Sequence, residues 1–350
     1  MGANSKIAWT DHTFNPWWGC QKISIGCAGC YAEALDKRTG GTHWGPGAER
    51  RRTSVKNWNE PLRWNKQHEA FFAQHGRRQR VFCASMADVF DNEVPVEWRT
   101  DLFRLIVETP NLDWLLLTKR IGNARSMSQV AMGAIGCMHK PLPENVWLGA
   151  TVVNQEEADR DIPKLLNTPA ELRFLSIEPL LGSIDLRLES RNDLARWDGL
   201  GRDLPLRRID WVIVGGESGH NARPMHPDWA RSLRDQCMES SVQFLFKQWG
   251  EWWEAGSDER DGDGNHIEVD PDSHDGREMW DPKTDCLLSL DGRSFTPQTL
   301  PDDTPARLMV RLGKKSAGRL LDGREWNEFP EDLSPEKNLN QKGDAIVDHP

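Results

Sequence analysis

The stretch DWVIVGGES, residues 210–218, holds an unbroken run of four apolar residues and then stops on two glycines, a carboxylate and a hydroxyl. A strand with one wet face alternates apolar and polar residues. A continuous apolar run suits a strand buried on both faces, as in a parallel sheet. The same pattern recurs in KIAWTDHT (6–13), RVFCASM (80–86), DWLLLT (113–118), NVWLGATVV (145–153), LRFLSIE (172–178) and VQFLFKQW (242–249). Amphipathic helices are predicted between these runs. One starts at Pro95, with proline at an early helical position. Another follows Asn154, where Asn154 and Glu157 have capping-box spacing. A third follows Pro227. Such alternation predicts right-handed βαβ units. The expected class is α/β: a complete or partial (β/α) TIM-like barrel with parallel strands. A doubly wound open sheet is the alternative.

What ends each run points to a site. The first leads into TFNPWWGC, and the second ends at Ser85 and Asp88. The third ends at Thr118, Lys119 and Arg120, and the fourth at Thr151 and Asn154. The fifth ends at Glu178, the sixth at Glu217 and Ser218, and the seventh at Lys247 and Gln248. Polar groups at the C-terminal ends of parallel strands converge on one mouth, where such folds hold their chemistry.

A chain of 350 residues can bury one large core or two modest ones. No apolar run reaches the roughly 18 residues of a membrane span. The N-terminus lacks an apolar signal core, and Lys6 stands where myristoylation would want Ser or Thr. These features predict a soluble, cytoplasmic protein with no membrane partner. The net charge of −10 is uneven, because residues 257–285 carry 11 Asp or Glu against 3 Lys or Arg. Elsewhere the chain is nearly neutral, with basic knots at 49–52, 77–80, 206–208 and 313–315, so a polyanionic partner stays open. The expected organisation is a barrel-like catalytic domain over 1–250, an acidic Gly/Asp-rich loop insertion over 251–300, a helical extension over 301–330 and a disordered tail over 331–350. Residues 259–270 approach a calcium loop but depart from it at the first and last ligand positions.

Cys20, Cys27 and Cys30 form the one cysteine cluster among seven cysteines. In a cytosolic protein this points to metal before disulfide. Structural zinc needs a fourth ligand, such as His12 or His43. A [4Fe–4S] cluster on three cysteines leaves one iron free. After strand one of a barrel, that iron suits S-adenosylmethionine and radical chemistry. Trp17, Trp18 and Tyr31 would shield such a centre, and Asn15 and Gly19 suit a tight loop.

The residues that carry a family resemblance are 6–33, 80–95, 115–120, 145–166, 173–182, 210–237, 244–253 and 313–330, from KIAWTDHTFNPWWGCQKISIGCAGCYAE to GKKSAGRLLDGREWNEFP. Over these blocks the sequence resembles the phage-borne three-Cys-motif family, a domain of unknown function of bacteriophages and prophages. That family resembles radical S-adenosylmethionine enzymes in its cysteine triad and barrel. The usual radical-enzyme motif is Cys-x3-Cys-x2-Cys with an aromatic before the last cysteine. Here the first gap is six residues, and Tyr31 follows Cys30 instead. The Gly-Gly-Glu that ends the second strand in those enzymes falls at 215–217, after a later strand.

The resemblance implies Cys20, Cys27 and Cys30 as ligands of a [4Fe–4S] cluster, with S-adenosylmethionine as cofactor and zinc as the alternative metal. Candidate cofactor-binding residues are Gly215, Gly216, Glu217, Ser218, Arg120, Arg223 and Asn15. Candidate catalytic residues are Glu178, Lys119, Lys247 and Asp88, as ion-pair partners of anions or as acid and base. The expected function is a radical enzyme of phage origin that modifies a nucleotide, nucleic acid or small metabolite. It would be reduced by a flavodoxin or ferredoxin, with an accompanying phage protein as a further partner. A nucleic-acid-binding protein with a structural zinc or iron–sulfur site, and a non-radical zinc enzyme, are the competing readings.

Overall fold

Seven parallel strands lie side by side in the order in which the chain visits them. They are β1 (His12–Phe14), β2 (Gln79–Cys83), β3 (Leu112–Thr118), β4 (Val146–Thr151), β5 (Leu172–Ile177), β6 (Trp211–Gly215) and β7 (Gln243–Gln248). The computed structural model describes residues 5–137, 142–188, 208–255 and 280–330. With strict sequential order every crossover steps the same way, and right-handed crossovers then place the helices on one face. A doubly wound sheet reverses its order at a switch point. No reversal occurs here, so that alternative falls. Among the described strands β1 and β7 do not pair with each other, and the sheet is a half-barrel, the partial form of the expected architecture.

Strand parity explains the continuous apolar runs. Val81, Cys83, Trp114, Leu116, Leu148, Ala150, Val212, Val214, Phe244 and Phe246 join the core shared with the helices. Their neighbours Phe82, Leu115, Trp147, Phe174, Trp211, Ile213 and Leu245 form a second cluster on the concave face. Alternate side chains thus leave opposite faces and both are buried. Each large side chain so buried contributes about 1.5–3 kcal/mol. Gly149 is needed in this inner layer, since a Cβ there would stand 2.3 Å from the Phe174 ring.

The first strand is shorter than its sequence suggests. Ile7 to Thr10 form a turn closed by Thr10 N–H to the Ile7 carbonyl, and Trp9 folds against Phe82 with ring centroids 4.6 Å apart. The apolar residues that read as strand close one end of the half-barrel instead. Arg80 joins them, its guanidinium 3.9 Å from the Phe329 ring centre.

Local signals hold in the helices. Asn154 Oδ1 accepts from Glu157 N–H at 3.0 Å and opens helix Gln155–Leu166. The Glu157 carboxylate reaches back to Val153 N–H rather than to the cap residue itself. Pro95 is the cap residue of helix Val96–Glu108, just outside it. No helix among the described residues is long and apolar enough to cross a membrane.

After β7 the chain differs from expectation. Among the described residues, β8 (Trp252–Glu254), β9 (Asp285–Ser289), β10 (Ser294–Phe295) and β11 (Ala306–Arg311) form an antiparallel sheet in the order β8-β11-β9-β10, strand where a helical extension was expected over 301–311, while residues 256–279 of the acidic stretch lie outside the described residues. Among the described residues of this stretch only Lys314–Ala317 is α-helical. A turn follows at Asp322-Gly323, with φ of 51° and 75°. The chain then runs back along β7, with Phe246 N–H on the Trp326 carbonyl and Glu328 N–H on the Phe244 carbonyl, which covers an exposed sheet edge. The calcium-like loop 259–270 and the tail 331–350 lie outside the described residues.

Candidate active site at the mouth of the half-barrel

Past β1 the chain turns at Gly19, whose φ of +113° and a would-be Cβ 2.5 Å from the His43 carbonyl oxygen both require glycine. Cys20 follows. Ser24 caps a single 3-10 turn, Ile25–Cys27, by accepting Gly26 N–H. Cys30 is the cap residue of helix Tyr31–Arg38. The loop between Gly19 and Tyr31 is tied down from above four strands. Tyr31 Oη donates to the Ser85 carbonyl after β2 at 2.8 Å. Arg120 Nη2, after β3, donates to the Gln21 carbonyl at 2.9 Å. Ser24 Oγ donates to Glu157 Oε1, beyond β4, at 2.5 Å. Arg223 Nη2, beyond β6, donates to the Ile25 carbonyl at 3.1 Å. Gly29 lies so close to Glu217 that a Cβ would be 2.9 Å from Oε1. The three cysteines therefore sit on a lid of chain across the C-terminal ends of the strands.

All three are half-buried free thiols. Cys20 Sγ accepts an N–H from Arg120 Nη1 at 3.4 Å. Burial pushes its pKa up to about 11, with Asp88 adding to the rise and Arg120 opposing it. Among the described residues no group of three or more His, Cys, Asp or Glu side chains is gathered closely enough to hold a metal ion. The donor set still fits an iron–sulfur centre in kind: three thiols outside any disulfide on one loop, partly screened from water, with a cation beside one sulfur. Neither histidine considered as a zinc ligand joins them. His12 stacks on Trp64 at 4.2 Å and bonds Gln79 through Nε2, while His43 Nδ1 is held by Asp36 at 2.8 Å.

The strand-end residues fall into two groups. Glu178 and Lys247 form a pair on the mouth, with Lys247 Nζ 2.7 Å from both carboxylate oxygens and Gln248 Nε2 3.0 Å from Oε1. Gln248 also reaches Ser218 Oγ. Lys119 lines the same end, and its ammonium has no hydrogen-bond or ion-pair partner among the described residues. Other candidates are committed to holding the loops. Glu217, 6% exposed, accepts from Arg223 N–H, Nε and Nη2 at 2.9, 2.8 and 2.7 Å. Asp88 accepts from Thr118 Oγ1, Lys119 N–H, Arg120 Nη1 and Phe90 N–H. Asn15 is buried and joins β1 to the loop after β2, taking Met86 N–H at 2.7 Å and donating to Ser85 Oγ. Gly216 allows a backbone crossing, since a Cβ would come 1.7 Å from the Trp249 carbonyl oxygen, and Gly215 packs beside Glu178.

Two features were not legible in the sequence. Lys314, from the GKK knot, approaches the mouth; burial and Lys247 lower its pKa, with Glu178 opposing. Nothing in the spacing announces that the chain returns there. A buried pair, Arg50 Nε to Asp91 Oδ2 at 2.9 Å, backs the cysteine loop, and only the ERRR knot hinted at it.

Residues 4–330 match the model of a family described as "Protein of unknown function (DUF5131)". No curated protein matches the chain in sequence. Among solved structures the chain is similar to a single-residue mutant of spore photoproduct lyase, at 11% identity and a TM-score of 0.35. It is also similar to that lyase complexed with dinucleoside spore photoproduct, at 10% identity and a TM-score of 0.34. Each alignment covers 69% of this chain and 65% of the other, so the chain spans about two-thirds of the length of these structures.

Proposed function

We propose, from the premise that the chain belongs to DUF5131, a family of proteins of unknown function, that it is a radical S-adenosylmethionine-type enzyme. Cys20, Cys27 and Cys30 would hold its [4Fe–4S] cluster. The observation that carries this reading is the three-cysteine loop lying across the C-terminal mouth of a parallel half-barrel, tied to residues beyond four strands. Bound on these cysteines, such a cluster would supply one-electron reduction, the chemistry by which S-adenosylmethionine is cleaved reductively.

The chain's own residues have distinct tasks. Arg223 and Glu217 hold the loop at Ile25 and Gly29, so Glu217 acts first as a structural carboxylate. Glu178 and Lys247 present a coupled carboxylate and ammonium able to hold or move a proton at the mouth. Lys119, Lys247 and Lys314 set cations around it, which suits an anionic substrate such as a nucleotide, a nucleic acid or a small charged metabolite. The reduced state calls for a one-electron donor of the flavodoxin or ferredoxin kind. A phage setting with an accompanying protein is part of the same reading.

Anaerobic purification with iron, sulfide and zinc analysis tests it, followed by dithionite reduction with S-adenosylmethionine and assay for 5′-deoxyadenosine. The expected result is about four irons per chain and formation of the nucleoside. Cys27→Ala should lower the iron content and abolish the nucleoside. One zinc per chain with no nucleoside would overturn the reading.

A further inference from the structure

We infer that Arg120 is a positioning residue for this centre: its N–H on the Cys20 sulfur sets the reduction potential of the cluster that the loop holds. The inference rests on the reading above. Arg120 stands between β3 and helix Ile121–Ala134, with its side chain only 7% exposed. The fork is divided between two tasks. Nη1 lies 3.4 Å from Cys20 Sγ and 3.3 Å from Asp88 Oδ2, while Nη2 lies 2.9 Å from the Gln21 carbonyl and 3.7 Å from Asp91 Oδ1. One guanidinium thus fixes both the cysteine and the residue after it.

The charges behind it are unbalanced. Arg50 and Arg99 are buried with Asp88 and Asp91, and the side chain of Arg120 reaches both carboxylates, which among the described residues sets three cations against two anions here. Arg99 joins this group of charges by donating to the Val89 and Asp91 carbonyls. Arg50 Nη2 is buried with no hydrogen-bond partner among the described residues. Buried charge is costly unless compensated, and the surplus here borders a sulfur. A cysteine sulfur bound to iron becomes more electron-rich when the cluster takes up an electron. An N–H donated to that sulfur therefore stabilises the reduced form more than the oxidised one, and the potential rises. Lysine carries the charge but cannot serve sulfur, carbonyl and two carboxylates from one planar fork.

The test is a redox titration of the reconstituted full chain, with dithionite as the one-electron donor, followed by absorbance and electron paramagnetic resonance. Arg120→Met should move the midpoint to a more negative potential, and Arg120→Lys should recover only part of the difference. A wild-type midpoint in Arg120→Met at equal iron content would overturn the inference. If Arg120→Met does not fold, because Asp88 and Asp91 lose their cation, Arg120→Lys decides: a lowered midpoint supports the inference and an unmoved one overturns it. Wild-type protein that takes up no iron overturns the proposed function with it, whereas an iron-loaded wild type with unmoved variants overturns the role of Arg120 alone.

Discussion

Gly216 shows how one missing carbon holds the site together. Its backbone crosses that of Trp249, and Gly250 returns the contact, where a Cβ would come 2.2 Å from the Glu217 carbonyl oxygen. Because the obstacle at Gly216 is backbone, no rotamer relieves it. Gly216→Ala should destabilise the protein by more than about 2 kcal/mol, read as a lower urea midpoint; an unchanged midpoint would show that the crossing can open without cost. The residues GGES were legible in the sequence as a strand end with a carboxylate. Their partners were not. Arg223 is six positions from Glu217, but Lys247 and Glu178 come from strands 69 positions apart, and their pairing exists only once β5, β6 and β7 are in register.

At the scale of elements, the helices were readable because caps are local. The cap of helix Pro227–Glu239 is a titratable one: His226 Nδ1 accepts Asp228 N–H at 3.2 Å and needs its lone pair to do so. Burial lowers the pKa of His226 from 6.5; Asp228 opposes that, and Arg307 and Arg231 add to it. As pH falls through 6.5 the unfolded chain takes up the proton before the folded one. The contribution is therefore complete above about pH 6.5 and is lost as pH falls toward the lower folded value. His12 shifts the same way, through burial, against the opposing effect of its Nε2–H donated to Gln79 Oε1. His226→Asn keeps an acceptor at the cap. Its melting temperature should fall less between about pH 7.5 and pH 5.5 than that of the wild type, and parallel curves would exclude His226 as a source of the slope. The small antiparallel sheet was not readable for a physical reason. Its strands are two to six residues long, and partners such as Trp252–Glu254 and Ala306–Arg311 lie far apart in sequence, so no local periodicity records them.

At the scale of the whole molecule, the seven described parallel strands leave two sheet edges to protect. The segment after the Asp322-Gly323 turn covers one of them, with Trp326 packed at 81° to the Phe244 ring and its Nε1 bonded to the Leu321 carbonyl. Trp326→Ala removes a side chain that is 6% exposed in the main core, and should cost about 3–5 kcal/mol. Denaturant unfolding checks this, and a loss below about 1 kcal/mol would mean the segment is an appendage. The barrel class was legible because it is written seven times over; the choice between its complete and partial forms was not, since closure leaves no mark in the individual strands.

One detail of composition turns the cysteine loop into a reporter. The chain has 17 tryptophans but a single tyrosine, and that tyrosine is Tyr31, an exposed residue with its hydroxyl fixed to the Ser85 carbonyl. Protein grown on fluorotyrosine therefore carries one fluorine, placed beside Cys30. Its one resonance needs no assignment and reads whether the loop is seated, shifted or released, in every variant and in every metal state.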